Sequence, residues 1–247
     1  QNHTPCAVFI NKMDMDNADF YHVVAQLQAA YGSRCVPLVI PIGTGQSLKG
    51  VVNITSGSVP DLAEQLDALR SALTDVVAES DDALVEKFLE SGALSPEEFE
   101  RGLRQGISAG KIVPIIAGSV AKDIGVAELM DTIGSLFPSP LDRAFNTVNG
   151  SGQLQPLDIK AGGPFVGQVF RSFVDPYVGH LTIFRVLTGT LKAESDFFNV
   201  STNNKERTGK IFMLCGKEHT QLAEAGPGDL AALTKLKHTH FGDTIAA

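Results

Sequence analysis

The spacing of apolar residues changes near Pro164, and that change limits the possible folds more than any other feature. Before it, short apolar runs rich in β-branched residues (6–10, 36–42 and 112–117) alternate with stretches whose apolar residues recur at helical intervals. Such alternation specifies strands buried on both faces and crossed over by helices, an α/β unit. After it come only short β-rich runs, at 165–174, 181–191, 196–201, 208–214 and 229–236, separated by turn residues as in a small barrel. Residues 141–163 hold no sustained period and read as a connector. A length of 247 residues is enough for two modest cores. The expected division is 1–143, a linker at 144–162, and an all-β unit at 163–247.

In the first unit, Phe20, Val23, Val24 and Leu27 share one helical face, as do Leu62, Leu66, Leu69, Leu73 and Val76. A further helix is expected over 82–90. Ser95-Pro96-Glu97-Glu98 is a capping box with proline at the first helical position, opening a helix that turns Phe99, Leu103 and Ile107 inward. The last helix should bury Val126, Leu129, Met130, Ile133 and Leu136. Residues 43–58 are rich in Gly, Ser and Thr.

Charge narrows the functional classes. Residues 1–162 carry 11 Lys+Arg against 20 Asp+Glu, whereas 163–247 carry 9 against 8. An acidic first unit argues against wrapping nucleic acid, while the second leaves room for local phosphate contacts. No apolar run reaches membrane-spanning length, so no membrane helix is expected. The chain begins at Gln1 in mid-phrase, with no signal segment, and reads as an internal piece of a longer cytoplasmic protein. Cys6, Cys35 and Cys215, without a CxxC, read as reduced structural thiols. His238 and His240 lack a third ligand nearby and read as loop residues, so no metal is expected. No local Ser/His/Asp or Cys/His set marks a catalytic residue.

The chemistry is concentrated in Asn11-Lys12-Met13-Asp14, which directly follows a buried strand. Guanine offers N1–H and an exocyclic amine along one edge, and the Asp14 carboxylate can accept both. Adenine lacks that donor pair and would leave the carboxylate unsatisfied. Lys12 would lay its methylene stem along the base plane, and Asn11 would hold the loop. The pattern alone also fits a solvated loop; the strand before it and the helix after it favour base recognition. A second strand–loop–helix passage, Gly118-Ser119-Val120-Ala121, supplies a partner loop, in which the Val120 N–H is expected to donate to the guanine carbonyl.

Equally informative is what these residues lack. GxxxxGK[ST] is absent, so no loop here cradles the β- and γ-phosphates. Gly106–Lys111 is one residue short, and Ile112 stands where a Mg²⁺-binding hydroxyl belongs. Asp175…Gly179 has too long a gap for DxxG.

With these motifs on the page, the chain resembles elongation factor G along nearly all its length. AVFINKMD is similar to the family's guanine-motif strand, and VPLVIPIGTGQSLKGVVN to the start of the subdomain inserted into its GTPase domain. DDALVEKFLE and GSVAKDIGVAELMDTIGSLFPSP resemble its later helices and closing loop. GPFVGQVFRSFVDPYVGHLTIFRVLTGTLKAES, KERTGKI, AGPGDLAAL and GDT resemble its barrel.

The resemblance implies the C-terminal part of a P-loop GTPase domain with a helical insert, followed by a translation-factor β-barrel, acting on the ribosome with GTP/GDP and Mg²⁺. Asn11, Lys12 and Asp14 would then bind guanine, with Ser119 and Val120 closing the pocket. Lys205 and Arg207 would meet ribosomal RNA phosphates, against the alternative of a solvated hairpin edge. Val120 stands where the family has alanine, and the insert is short, which implies a divergent paralogue. Alternatives are a non-enzymatic ribosome-binding module with a vestigial nucleotide site, and a ribosomal protection or release-factor-type GTPase.

Overall fold

The computed structural model describes residues 4–139, 142, 145–148, 153–175 and 179–247. The chain divides into two compact units, Gln1–Pro138 and Ser139–Ala247. The first has a four-stranded sheet in the order β1 (Val8–Ile10), β4 (Val113–Ala117), β2 (Cys35–Ile42), β3 (Gly50–Asn53). β4 runs parallel to both β1 and β2. All of β4 and seven of the eight residues of β2 are buried, as the apolar runs require.

Two prolines sit in the central strand β2, and each occupies a position where its missing N–H is tolerated. Pro37 lies at a break in register against β4. Pro41 faces Val51, and the 2.9 Å Ile54 N–H to Leu38 bond three pairs further along makes Pro41–Val51 a non-hydrogen-bonded pair.

The helices are α1 (Phe20–Tyr31), α2 (Ala63–Glu79), α3 (Asp82–Ser91), α4 (Pro96–Ser108) and α5 (Val126–Leu136). The capping box at α4 is formed: the Glu98 N–H donates to Ser95 Oγ and the Ser95 N–H to Glu98 Oε2, each at 3.2 Å. Leu66, Leu73, Leu103 and Ile107 enter the core as their spacing predicts. α5 departs from expectation. Met130 is 61% and Ile133 44% exposed, and Thr132 is buried in their place. α5 is apolar on more than one stripe, so its sequence alone does not select which stripe turns inward. The Gly-, Ser- and Thr-rich stretch 43–58 contains β3, whose Gly-Val-Val-Asn is too short to stand out.

In the second unit, eight antiparallel strands form one sheet in the order β11-β10-β16-β7-β8-β15-β12-β13. These are β7 (Val166–Asp175), β8 (Gly179–Thr188), β10 (Asp196–Asn199), β11 (Asn204–Arg207), β12 (Ile211–Cys215), β13 (Glu218–Leu222), β15 (Leu230–Thr234) and β16 (Thr244–Ala246). β9 (Leu191–Lys192) pairs with β14 (Glu224–Ala225). Phe165, Val169, Phe184, Phe197, Ile211, Leu233 and Ile245 fill the core, and Phe165 meets Phe184 edge-on. The segment read as a connector includes two short antiparallel strands, β5 (Asn146–Val148) and β6 (Leu154–Pro156).

All three cysteines are free, but only Cys35 is buried, so Cys6 and Cys215 are surface thiols rather than core ones. Burial pushes the Cys35 thiol pKa up, against the pull of Arg34. Among the described residues, no helix is long and apolar enough to cross a membrane, and no group of three or more His, Cys, Asp or Glu could hold a metal.

Candidate functional site

β1 and β4 run side by side and parallel, so both deliver their following loops to the same edge of the sheet. The loops are then stitched together. The Gly118 N–H donates to Ile10 O at 3.0 Å, and the Met13 N–H to Gly118 O at 3.1 Å. Asn11 Oδ1 accepts from its neighbour Lys12 N–H at 2.8 Å and, across the gap, from Val120 N–H at 3.0 Å. Ser119 Oγ donates to Asp14 Oδ1 at 2.6 Å. Asn11, Lys12, Asp14, Ser119 and Val120 therefore sit at one place, although more than a hundred residues separate the two loops.

Lys12 is in the left-handed region, with φ +65°. A non-glycine residue held there costs about 1 kcal/mol, which the bonds on either side of it sustain. Met13 is 1% exposed and anchors the loop in the core, while Asn11 and Lys12 are exposed and Asp14 is half-buried. Ser119 is fully buried, so its hydroxyl reaches Asp14 from beneath and leaves most of the carboxylate's acceptor capacity open.

The Ser119 hydrogen bond holds the Asp14 carboxyl below the ordinary carboxylate range; burial opposes it, and Lys122 and Lys12 assist. A carboxylate with a depressed pKa contributes stability above its unfolded pKa, and loses that stability as pH falls through the lower folded value. Ser119→Ala should therefore raise the Asp14 pKa toward its ordinary value, moving the acid limb of any Asp14-dependent binding to higher pH. Carbon-detected NMR titration of the Asp14 carboxyl reads this directly; identical midpoints in both proteins would refute the bond's role.

One expected base donor has a partner within the protein. The Val120 N–H, expected to meet a guanine carbonyl, donates to Asn11 Oδ1 in this structure. It can serve a base only as a shared donor or after the Asn11 amide turns. Val120 itself is 58% exposed, so the extra bulk relative to alanine crowds nothing in the protein. The Gly106–Lys111 stretch ends α4 and leads into β4, with Lys111 Nζ donating to Ser80 O at 2.6 Å, so it cradles no phosphate.

Two large clefts lie elsewhere in the first unit. One, of about 710 Å³, includes Cys6, Tyr31 and Arg34; the other, of about 640 Å³, lies beside β3, α4 and α5. Neither includes a residue of the two loops.

In the second unit, Lys205 and Arg207 are exposed on the edge strand β11. Lys205 Nζ is 2.8 Å from Asp196 Oδ2, and Asp196 also pairs in register with Arg207. The Lys205 hydrogen bond, with its charge, holds the Asp196 carboxyl low, so both cations face an acidic neighbour.

In the loop after β15, sequence reasoning weighed His238 and His240 only as metal ligands. Lys235, Lys237, His238, His240 and Phe241 are all exposed there, Phe241 by 73%. Glu206 accepts from Lys237 N–H at 2.7 Å, His238 N–H at 3.2 Å and Thr239 Oγ at 2.5 Å. Burial alone would push the Glu206 carboxyl up, but these donors outweigh it and hold it low. Asn199, fully buried, donates to His238 O and Asp243 Oδ2 at 3.1 and 2.9 Å. The signal was legible as a run of basic and aromatic residues between two strands; its fixed shape was not.

Residues 1–139 match the family Elongation factor Tu GTP binding domain, and 164–247 match Elongation factor G domain 2. Fold and site thus define a translational GTPase architecture, a nucleotide-binding α/β domain with the translation-factor barrel after it. The chain belongs to the elongation factor Tu GTP-binding domain family, in the arrangement found in elongation factor G. A crystal structure of ttk003000868 from Thermus thermophilus shares the fold, with a TM-score of 0.79 at 22% identity. The match covers 98% of this chain and 36% of that one, so the chain spans about a third of the protein it resembles.

The family implies a guanine nucleotide and Mg²⁺. Asp14 fits the base, since its carboxylate is ionised, fixed and open on the loop surface. The residues here do not fit Mg²⁺: no GxxxxGK[ST] hydroxyl is present, and the DxxG match at Asp131–Gly134 lies within helix α5 rather than after a strand.

Proposed function

We propose that this chain is the guanine-reading and barrel portion of a ribosome-dependent cytoplasmic GTPase of the elongation factor G type, from a divergent paralogue. Residues 1–143 form part of the nucleotide domain, 144–162 join it to the barrel, and the barrel occupies 163–247. Asp14 accepts from guanine N1–H and the exocyclic amine, Lys12 covers the base plane, and Asn11 and Ser119 hold the two loops in register. Val120 contributes its N–H by sharing it with Asn11. Phosphate and Mg²⁺ are bound by groups outside these residues, so no hydrolytic step is assigned to them. In the barrel, Lys205 and Arg207 meet ribosomal RNA by exchanging Asp196 for phosphate.

The observation that carries this reading is the pair of side-chain bonds between the loops, Ser119 to Asp14 and Val120 to Asn11. Loops that served only as turns would not require these side chains. Equilibrium binding of GDP and ADP to the full-length polypeptide tests it: GDP should bind at least about 100-fold more tightly, as expected where a buried-edge donor pair is read. The purified 247-residue chain should release no phosphate from GTP in the presence of ribosomes, and measurable release would contradict the assignment.

One observation favours a second reading, a ribosome-binding module with a vestigial nucleotide site. The Val120 N–H is already satisfied within the protein. Equal affinity for GDP and ADP would select that reading.

A further inference from the structure

A third loop bears on the base-reading site. After β2, residues 43–47 close into a single 3-10 turn, Gly45–Ser47, held by the Thr44 N–H donating to Ser47 Oγ at 3.3 Å and by Ser47 Oγ donating to Thr44 O at 2.7 Å. Leu48 anchors this loop in the core. From it, the Gly45 N–H donates to Met13 O at 2.8 Å. The geometry of that bond has a specific consequence. The Met13 carbonyl and the Asp14 N–H belong to one rigid peptide plane, so Gly45 fixes the rotation of the plane from which Asp14 hangs. The preceding plane, which contains the Met13 N–H, is fixed by Gly118 O. Both planes flanking Met13 are therefore clamped, one by the Gly118 loop and one by the Gly45 loop.

Gly45 is buried and has φ +57°, where a β-branched residue is strained. A Cβ there would meet Asp16 Cα and Met15 O at 3.4 Å, an ordinary contact. The position is thus restricted by its backbone conformation more than by space, which is the requirement for aiming its N–H at Met13.

We propose that loop 43–47 is a third component of the base-reading site and that Gly45 is a positioning residue for Asp14, setting how well the carboxylate meets both guanine donors. This rests on the guanine reading given above and adds to it the element that determines selectivity. Loss of the Gly45 bond lets the Asp14 peptide rotate. A rotated carboxylate keeps one donor at the expense of the other, so discrimination falls before general affinity does.

The test compares GDP with IDP, whose base lacks the exocyclic amine, on the full-length polypeptide. A charge-assisted hydrogen bond to that amine should make GDP bind about 10–100-fold more tightly than IDP. Gly45→Val should reduce this preference to about threefold or less, while Gly45→Asn, a residue that tolerates the left-handed region, should retain it. An unchanged GDP/IDP ratio in a folded Gly45→Val protein overturns the proposal. A wild-type protein that does not prefer GDP removes the guanine reading itself, and the role of Gly45 with it. A wild type that discriminates alongside a Gly45→Val protein that discriminates equally removes only the role of Gly45. Should Gly45→Val not fold, wild-type amide exchange decides: exchange at Gly45 should slow on adding GDP, because the bound base locks Asp14 and its peptide plane. No slowing in a protein that binds GDP overturns the proposal.

Discussion

Asp14→Asn is expected to lower GDP affinity by about 100- to 1000-fold and to transfer preference to xanthine nucleotides. An asparagine amide offers one acceptor and one donor group where the carboxylate offers two acceptors. Facing guanine, its oxygen can still take one donor, but its NH₂ is set against the other. The loss combines a charge-assisted bond, about 1.5–3 kcal/mol, with the cost of an unpaired donor, about 1–3 kcal/mol. Xanthine carries a carbonyl in place of the amine, so the same amide pairs with it fully. Stability should change little, because Ser119 Oγ, now 2.6 Å from Asp14 Oδ1, can donate to the amide oxygen instead. Calorimetric titration of the full-length variant with GDP and XDP measures both halves. Equal weakening toward both would mean that Asp14 supports the loop without reading the base.

The second large effect is on stability. Gly125→Ala should destabilise the first unit by about 3 kcal/mol or more. Gly125 precedes α5 with φ +79°, and an added Cβ would lie 2.3 Å from Ala117 O and 2.9 Å from Gly118 Cα. Those atoms are main chain at the end of β4, so they cannot move without dragging the second guanine loop. For a unit of this size the first thermal transition should fall by roughly 10 °C. Gly134→Ala is the control. Gly134 lies within α5 and nothing approaches its Cβ within 4 Å, so alanine there should stabilise by about 0.5–1 kcal/mol. Calorimetric melting of both variants separates the outcomes; a Gly125→Ala protein that melts with the wild type would refute the packing argument.

Helices α2 and α4 and strands β2 and β4 were legible because each is periodic over many residues and buries a whole face. Ser95 and Glu98 announced the start of α4 for the same reason, since their bonds are local. The strands that escaped notice are short or polar. β11 reads Asn-Lys-Glu-Arg and β13 reads Glu-His-Thr-Gln-Leu, and both lie at an edge of their sheet with little apolar surface to bury. β16, only three residues long, owes its place to pairing with β7 and β10. Such strands are selected by partners distant in the chain, which no local pattern encodes.

The same division runs through the candidate site. Residue type and order specified an NKxD loop after a strand, a second strand–loop–helix passage, and a chain that turns from α/β to all-β near Pro164. These are short-range properties: periodicity, capping, and the acceptor chemistry of a carboxylate. Only the folded arrangement joined Ser119 to Asp14, occupied the Val120 N–H with Asn11, set Asp196 beside Lys205 and aimed Gly45 at Met13. Each of those contacts depends on the direction of a donor and the register between strands. Direction and register are fixed when separate segments pack against one another, because packing settles which of several locally acceptable conformations every loop adopts.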